Sequence, residues 1–117
     1  MKEALTLSAS TLKDNDVVNS KDESIGEISE LMIDCKYGRI SYAVLSFGGI
    51  LGMGDKLFAI PWDALKLDTE NKRFILNVDE ETLKNSEGFD KDNWPDMADY
   101  SWSGRMYEHY NVKPYWD

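Results

Sequence analysis

Residues that commonly do chemistry are scarce in this chain of 117 residues, which has one histidine, His109, and one cysteine, Cys35. Histidine titrates near neutral pH, but nucleophilic catalysis needs a base that a third group holds in place. The sequence has neither a Gly-x-Ser-x-Gly motif nor a Cys-His spacing. A single thiol supports no internal disulfide and no multi-thiolate zinc site, and we expect Cys35 to be a small core residue. The sequence therefore predicts that the protein is not an enzyme and has no catalytic, cofactor-binding or metal-binding residue.

The acidic string at residues 90–99 resembles part of a calcium-binding loop, because hard cations prefer several oxygen ligands. Its carboxylates belong to Asp90, Asp92, Asp96 and Asp99. An EF-hand loop also needs Gly at its sixth position and Glu at its twelfth. Counted from Asp90, these positions hold Pro95 and Ser101. We therefore interpret the carboxylates as solvated or capping groups.

A glycine-rich loop at residues 48–54 contains three large apolar side chains, Ile50, Leu51 and Met53. A phosphate-binding loop would lead into a helix, whereas this loop leads into an apolar run typical of a strand. Two interpretations stay open. The apolar cluster is buried by a partner, or the loop folds back on its own barrel.

Charge limits the partners. With 13 basic and 22 acidic residues the net charge is −9, which repels phosphate backbones and anionic lipids. We therefore expect no direct contact with nucleic acid. No stretch approaches the roughly 20 apolar residues of a membrane span, and the first residues lack a secretory apolar core. We expect no membrane insertion and a cytoplasmic location.

Short runs of branched and aromatic residues between turns predict six β-strands in the first 78 residues. They cover residues 17–18, 25–35, 39–47, 56–60, 65–67 and 73–78. In the second strand we expect Ile25, Leu31, Ile33 and Cys35 to share one side and a bulge to fall near residues 26–29. Six short strands with close turns suggest an all-β fold, a small barrel.

The strand at residues 39–47 is apolar on both faces. Tyr42 and Val44 point to one side, and Ala43 and Leu45 to the other. Such a strand is central in its sheet, with the core on one face and more protein on the other. The second cover is either the C-terminal segment or a second subunit.

The composition changes at residue 79. Residues 79–117 hold 10 acidic and 4 basic residues and 8 of the 14 aromatics. We expect a helix that Asp79 caps and Gly88 ends, and another over residues 102–110 with Ser101 as its cap. Three tryptophans, Trp94, Trp102 and Trp116, could form a stacking surface, but the local negative charge favours packing as a lid. The sequence thus predicts a single domain, with a barrel at residues 1–78 and an acidic, aromatic extension at residues 79–117 that packs on it.

Several strings in order resemble the PRC-barrel family, which is named for the H subunit of the photosynthetic reaction centre. They are DVVN at 16–19, IGEI at 25–28, LMID at 31–34, GRISYAVLS at 38–46 and AIPWDAL at 59–65. The strings at 88–95 and 112–116 are similar to the C-terminus of stand-alone bacterial members. The resemblance implies a small barrel that serves as an interaction platform without chemistry of its own, and that often self-associates.

Together these features predict a non-enzymatic protein-interaction module, a homodimer with a further, unknown protein partner. The expected contact surface combines Ile50, Leu51 and Met53 with an apolar outer face around Tyr42 and Val44. Two alternatives stay open. One is an adaptor in ribosome or RNA assembly that contacts protein rather than RNA, since the family's barrel also occurs in a ribosome maturation factor. The other is a small-ligand-binding barrel.

Overall fold

The computed structural model describes residues 6–13, 15–48, 55–78, 80–85, 88–90, 94–96 and 100–116. More of these residues lie in strands than in helices, and the strands are joined by three short helices and one turn of 3₁₀ helix. The elements in chain order are α1 (Ala9–Leu12), β1 (Asp16–Val18), β2 (Ser24–Asp34), β3 (Arg39–Gly48), β4 (Asp55–Pro61), the 3₁₀ turn (Trp62–Ala64), β5 (Leu65–Asp68), β6 (Arg73–Leu76), α2 (Glu80–Lys84), β7 (Gly88–Phe89) and α3 (Tyr100–His109).

The strands form one sheet in the order β5-β6-β1-β2-β3-β4-β7. Neighbouring strands pair antiparallel, except that β1 and β6 run parallel. The all-β prediction is confirmed, and all six expected strands are present. A seventh strand, β7, lies in the segment that we expected to be helical. Within the described residues β5 and β7 do not pair with each other, so the sheet is not a closed barrel.

Turn residues with specific side-chain bonds fix the order of these strands. Asn19, buried in the β1–β2 turn, accepts hydrogen bonds from the backbone N–H groups of Lys21 and Glu23 at 2.9 and 3.0 Å. Such bonds replace the ladder bonds that a turn lacks. Arg73 at the start of β6 forms ion pairs with both Asp22 and Asp68. These contacts tie the β1–β2 turn to the β5–β6 turn.

Strand β2 bends through bulges, one of which the sequence predicts. Its pairing with β3 shifts register between Ile28 and Glu30 and again between Met32 and Ile33. The second shift breaks the alternation that placed Ile33 and Cys35 on the same side as Ile25 and Leu31. Ile33 is 59% exposed while Ile25 and Leu31 are buried, so the expected common side is wrong. Cys35 is exposed, so its assignment to the core is also wrong.

Both faces of β3 are buried, as the sequence predicts. Tyr42, Ala43, Val44 and Leu45 each keep 3% or less of their surface exposed. Val44 pairs with Ala59 of β4, and Ala59 lies beside α3 at the wall of a small cavity. The ring of Tyr42 contacts Trp102 of α3 edge-on at 5.7 Å. The C-terminal segment is therefore the cover of this face.

The helices differ from the prediction at their ends. Helix α2 ends at Lys84, and Gly88 begins β7 instead of ending the helix. Helix α3 begins at Tyr100, which places Ser101 inside it and makes Ser101 wrong as a cap. Asp79 lies outside the described residues. Asn111 follows α3 with a φ of 60°, a left-handed conformation typical of helix ends.

Replacement of Gly26 should destabilise the sheet. Its φ is +143°, and an added Cβ would lie 2.4 Å from the backbone oxygen of Ser46 on β3. Because backbone strain and a clash between strands add, we expect Gly26→Ala to lower the free energy of unfolding by about 2–4 kcal/mol. Urea denaturation measures this. Gly104→Ala is the matched control, since an added Cβ there meets no heavy atom within 4 Å outside its chain neighbours and its own helix backbone, and alanine favours helix by roughly 0.5–1 kcal/mol. Equal stability of the two variants would contradict the assignment of Gly26.

Candidate interaction surface

Four aromatic rings touch one another in series on the surface. Ring centroids are 5.5 Å apart between Tyr37 and Tyr115, 5.0 Å between Tyr115 and Trp116, and 5.1 Å between Trp116 and Tyr100. Tyr37 and Tyr100, at the two ends, are each 45% exposed, while the middle two rings are half-buried. We call these four residues the aromatic surface.

The turn between β2 and β3 positions Tyr37. The carboxylate of Asp34 accepts hydrogen bonds from the backbone N–H groups of Lys36 and Tyr37 at 2.9 and 3.1 Å. The N–H of Gly38, whose φ is 68°, donates to the backbone oxygen of Asp34 at 2.8 Å. Short side chains with such local bonds favour tight turns, so the string that begins at Asp34 presents Tyr37 at the tip.

The same carboxylate also binds the C-terminal segment. The hydroxyl of Tyr115 donates to Oδ2 of Asp34. The guanidinium of Arg39 lies 4.1 Å from the centroid of the Tyr115 ring, and it donates to the carboxylate of Asp63 at 3.2 Å. Tyr115 is therefore held from two sides by residues that flank the β2–β3 turn.

Helix α3 supports the surface from below through Tyr107, which is fully buried. Its hydroxyl donates to the backbone oxygen of Ser41 on β3. Its ring contacts Tyr115 and Trp116 at 6.1 and 4.9 Å between centroids. Edge-to-face pairs of this kind contribute about 0.5–1.5 kcal/mol beyond their buried area. Because Tyr107 bonds to β3, the helix fixes where the following residues lie.

These contacts shift the acidity of the groups involved. Burial, reinforced by Asp34, raises the pKa of Tyr115 to about 12. Burial also raises the pKa of Tyr107. The hydrogen bond from Tyr115 lowers the pKa of Asp34. At neutral pH both phenols are therefore protonated donors and Asp34 is an ionised acceptor. Such an arrangement holds the rings in fixed orientations.

The structure describes only two of the residues that the sequence assigns to the contact surface. Ile50, Leu51 and Met53 lie outside the described residues. Tyr42 and Val44 are 3% and 0% exposed, so they present no surface to a second molecule. The reason is the cover by α3, one of the two covers that the sequence left open.

The aromatic surface is absent from the sequence prediction except for Trp116, which was one member of a possible stacking set. The other two members of that set lie elsewhere. Trp102 is buried against Tyr42, and Trp94, 38% exposed, contacts Phe89 at 5.0 Å. Two features of the sequence could have indicated the aromatic surface. They are the pair Tyr115 and Trp116 after Pro114, and Tyr37 in a hairpin turn. Nothing in one sequence places these two segments side by side.

The remaining candidates for chemistry lie apart from the aromatic surface. Nε2 of His109 lies 3.0 Å from the backbone oxygen of Thr82, which makes it the donor of a bond between α3 and α2. His109 also borders a cavity of about 250 Å³ with Ala59, Asn85, Trp102, Arg105, Met106 and Tyr110. In the described part of the chain no three His, Cys, Asp or Glu residues are placed to hold a metal ion. None of the described helices is long and apolar enough to cross a membrane.

Comparison with known proteins gives one family. The family model of the PRC-barrel domain matches residues 6–83, which include α1, all strands through β6, and most of α2. The comparison with curated proteins finds no match.

Removal of the Tyr115 hydroxyl should loosen the C-terminal segment in a pH-dependent way. A hydrogen bond that lowers the pKa of Asp34 stabilises the fold above the ordinary pKa of 3.8, and this stabilisation is lost as the pH falls through the lower folded value. We expect Tyr115→Phe to lower the melting temperature by a few degrees at pH 7, with a smaller difference at pH 3. Thermal unfolding followed by circular dichroism measures both. Tyr100→Phe, which removes an exposed hydroxyl, is the control and should match the wild type. A pH-independent deficit would contradict the role of Asp34.

Proposed function

We propose that this chain, which belongs to the PRC-barrel domain family, acts as a non-enzymatic protein-interaction module that self-associates. The observation that carries the interaction role is the aromatic surface. Exposed aromatic rings in mutual contact are typical of protein interfaces, where Tyr and Trp are enriched. Tyr37 and Tyr100, the two ends of the series, are each 45% exposed. The net charge of the whole chain is −9.

The non-enzymatic part of the proposal is supported by what the ionisable groups do. His109 bonds to a backbone carbonyl of α2, and Asp34 bonds to the β2–β3 turn and to Tyr115. Cys35 is exposed and lies 4.0 Å from the backbone oxygen of Ile33. Each of these groups has a structural partner in its own neighbourhood. An exposed free thiol also supports our proposal of a cytoplasmic location, because a reducing compartment keeps thiols from forming disulfides.

Self-association is proposed through the loop at residues 48–54. Strands β3 and β4 pair as far as Gly48 and Asp55, so residues 49–54 connect the ends of two paired strands. Three large apolar side chains at this position, Ile50, Leu51 and Met53, favour burial against a second copy. The contact must overcome repulsion between two chains of like charge, and apolar burial is the kind of contact that does so without opposite charges.

The oligomeric state tests self-association directly. We expect the wild type to be a dimer at micromolar concentration and Leu51→Asp to be a monomer, because the carboxylate would be desolvated at the contact. Multi-angle light scattering during size-exclusion chromatography measures the mass. Leu51→Met is the matched control, since it keeps an apolar side chain of similar volume, and it should remain a dimer. A monomeric wild type, or a Leu51→Asp variant that is still a dimer, would remove this part of the proposal.

A further inference from the structure

Cations already lie over two of the four rings in the aromatic surface. The guanidinium of Arg39 is 4.1 Å from the centroid of Tyr115, and Nζ of Lys36 is 5.7 Å from that of Tyr37. Both distances fall within the range of cation–π attraction, which arises because the face of an aromatic ring is negative. Two of the four rings, those of Tyr115 and Tyr37, therefore already contact a cation of the same chain.

The other half has the same ring chemistry. Trp116 and Tyr100 stack with an interplanar angle of 23°, and Tyr100 is 45% exposed. No Lys or Arg of the described residues lies over either of these two rings. Tryptophan is the strongest cation–π partner among the side chains. This pair is thus the part of the surface that can accept a cation from outside the chain.

The charge of the protein selects the kind of partner. Residues 79–117, which supply Trp116 and Tyr100, hold 10 acidic and 4 basic residues, and the whole chain carries −9. This field attracts a cationic segment and speeds its association, whereas it repels a second copy of this chain and a phosphate backbone. The charge of the chain and the chemistry of the rings therefore both favour a cationic ligand.

We propose that the aromatic surface docks an extended cationic segment of another protein, with its Arg or Lys side chains over Trp116 and Tyr100. This inference rests on the proposed interaction function and assigns its second partner. The three centroid steps of 5.5, 5.0 and 5.1 Å limit the series to about 16 Å, which roughly five residues of extended chain cover. Alternate residues of such a segment face the same side, so two basic residues that are two positions apart can meet Trp116 and Tyr100, while the residues that lie over Tyr115 and Tyr37 need no charge.

The test uses the full chain, labelled with ¹⁵N, and a blocked peptide of sequence Ser-Arg-Ser-Arg-Ser-Arg-Ser. Each tryptophan indole gives its own NMR signal. We expect saturable shifts of the Trp116 indole and of the Tyr37 and Tyr100 amides. The Trp62 indole, whose ring packs on Phe74, should stay in place. The same peptide with citrulline in place of Arg keeps the shape without the charge, and it should not bind.

A matched pair of variants tests the rings themselves. We expect Tyr100→Ala to weaken binding of the arginine peptide about two- to fivefold, the effect of one exposed cation–π contact. Tyr100→Phe keeps the ring and should bind like the wild type. Because Tyr100 is exposed, both variants should fold. Tyr37, whose ring already has Lys36 over it, is the comparison position, and Tyr37→Ala should weaken binding less than Tyr100→Ala. Higher salt should weaken binding.

Several results would overturn the inference. They are no saturable binding of the arginine peptide, equal binding of the citrulline peptide, unchanged affinity of Tyr100→Ala, or tighter binding of single-stranded oligonucleotides at Trp116. A Trp116 shift that depends only on protein concentration would assign the surface to a second copy instead. If the arginine peptide fails while light scattering still shows the dimer, the cationic partner is wrong and the interaction module stands. If both fail, both proposals are wrong.

Discussion

The central strand β3 is apolar on both sides, and the architecture depends on covering it twice. One face contributes to the core between the strands, and the other, with Tyr42 and Val44, is covered by the C-terminal segment. Burying a large apolar side chain contributes roughly 1.5–3 kcal/mol relative to leaving it in water. An uncovered face would therefore be costly, and α3 lies on the sheet for this reason. The position of α3 in turn brings residues 111–116 to the β2–β3 turn, where the aromatic surface forms.

Polar contacts then orient the C-terminal aromatic rings that apolar burial brings to the β2–β3 turn. Asp34 serves the turn and Tyr115 at once, and Arg39 bridges the Tyr115 ring and Asp63. Exposed charge pairs of this kind add little to stability, but they fix angles between rings. As a result, Tyr37 and Tyr100 at the ends of the aromatic surface are exposed, while Tyr115 in its middle is held in a fixed orientation. A surface held in place in advance loses less entropy when a partner binds, which suits a module that works by contact.

The strands could be predicted from the sequence because runs of β-branched and aromatic residues alternate with turn residues. The first bulge could also be predicted, because polar residues near positions 26–29 interrupt the apolar pattern of the strand. The second bulge, after Met32, could not be predicted from the sequence, and it ends the alternation that was expected to keep Ile33 on the side of Ile25 and Leu31. Strand β7 was missed because two residues carry no periodicity. The aromatic surface was missed for a different reason. It joins Tyr37 to residues some 60 to 80 positions later in the chain, and single-sequence patterns report neighbours along the chain, not across it.

The most direct test of this account is amide hydrogen exchange of the full chain, compared with and without the arginine peptide at saturating concentration. The account predicts slower exchange in residues 36–38 and 111–116, where the turn and the C-terminal segment meet, and unchanged exchange in β5 and β6 on the far side of the sheet. Protection confined to β5 and β6, or no change in either C-terminal or turn amides, would contradict the claim that this protein binds its cationic partner at the aromatic surface.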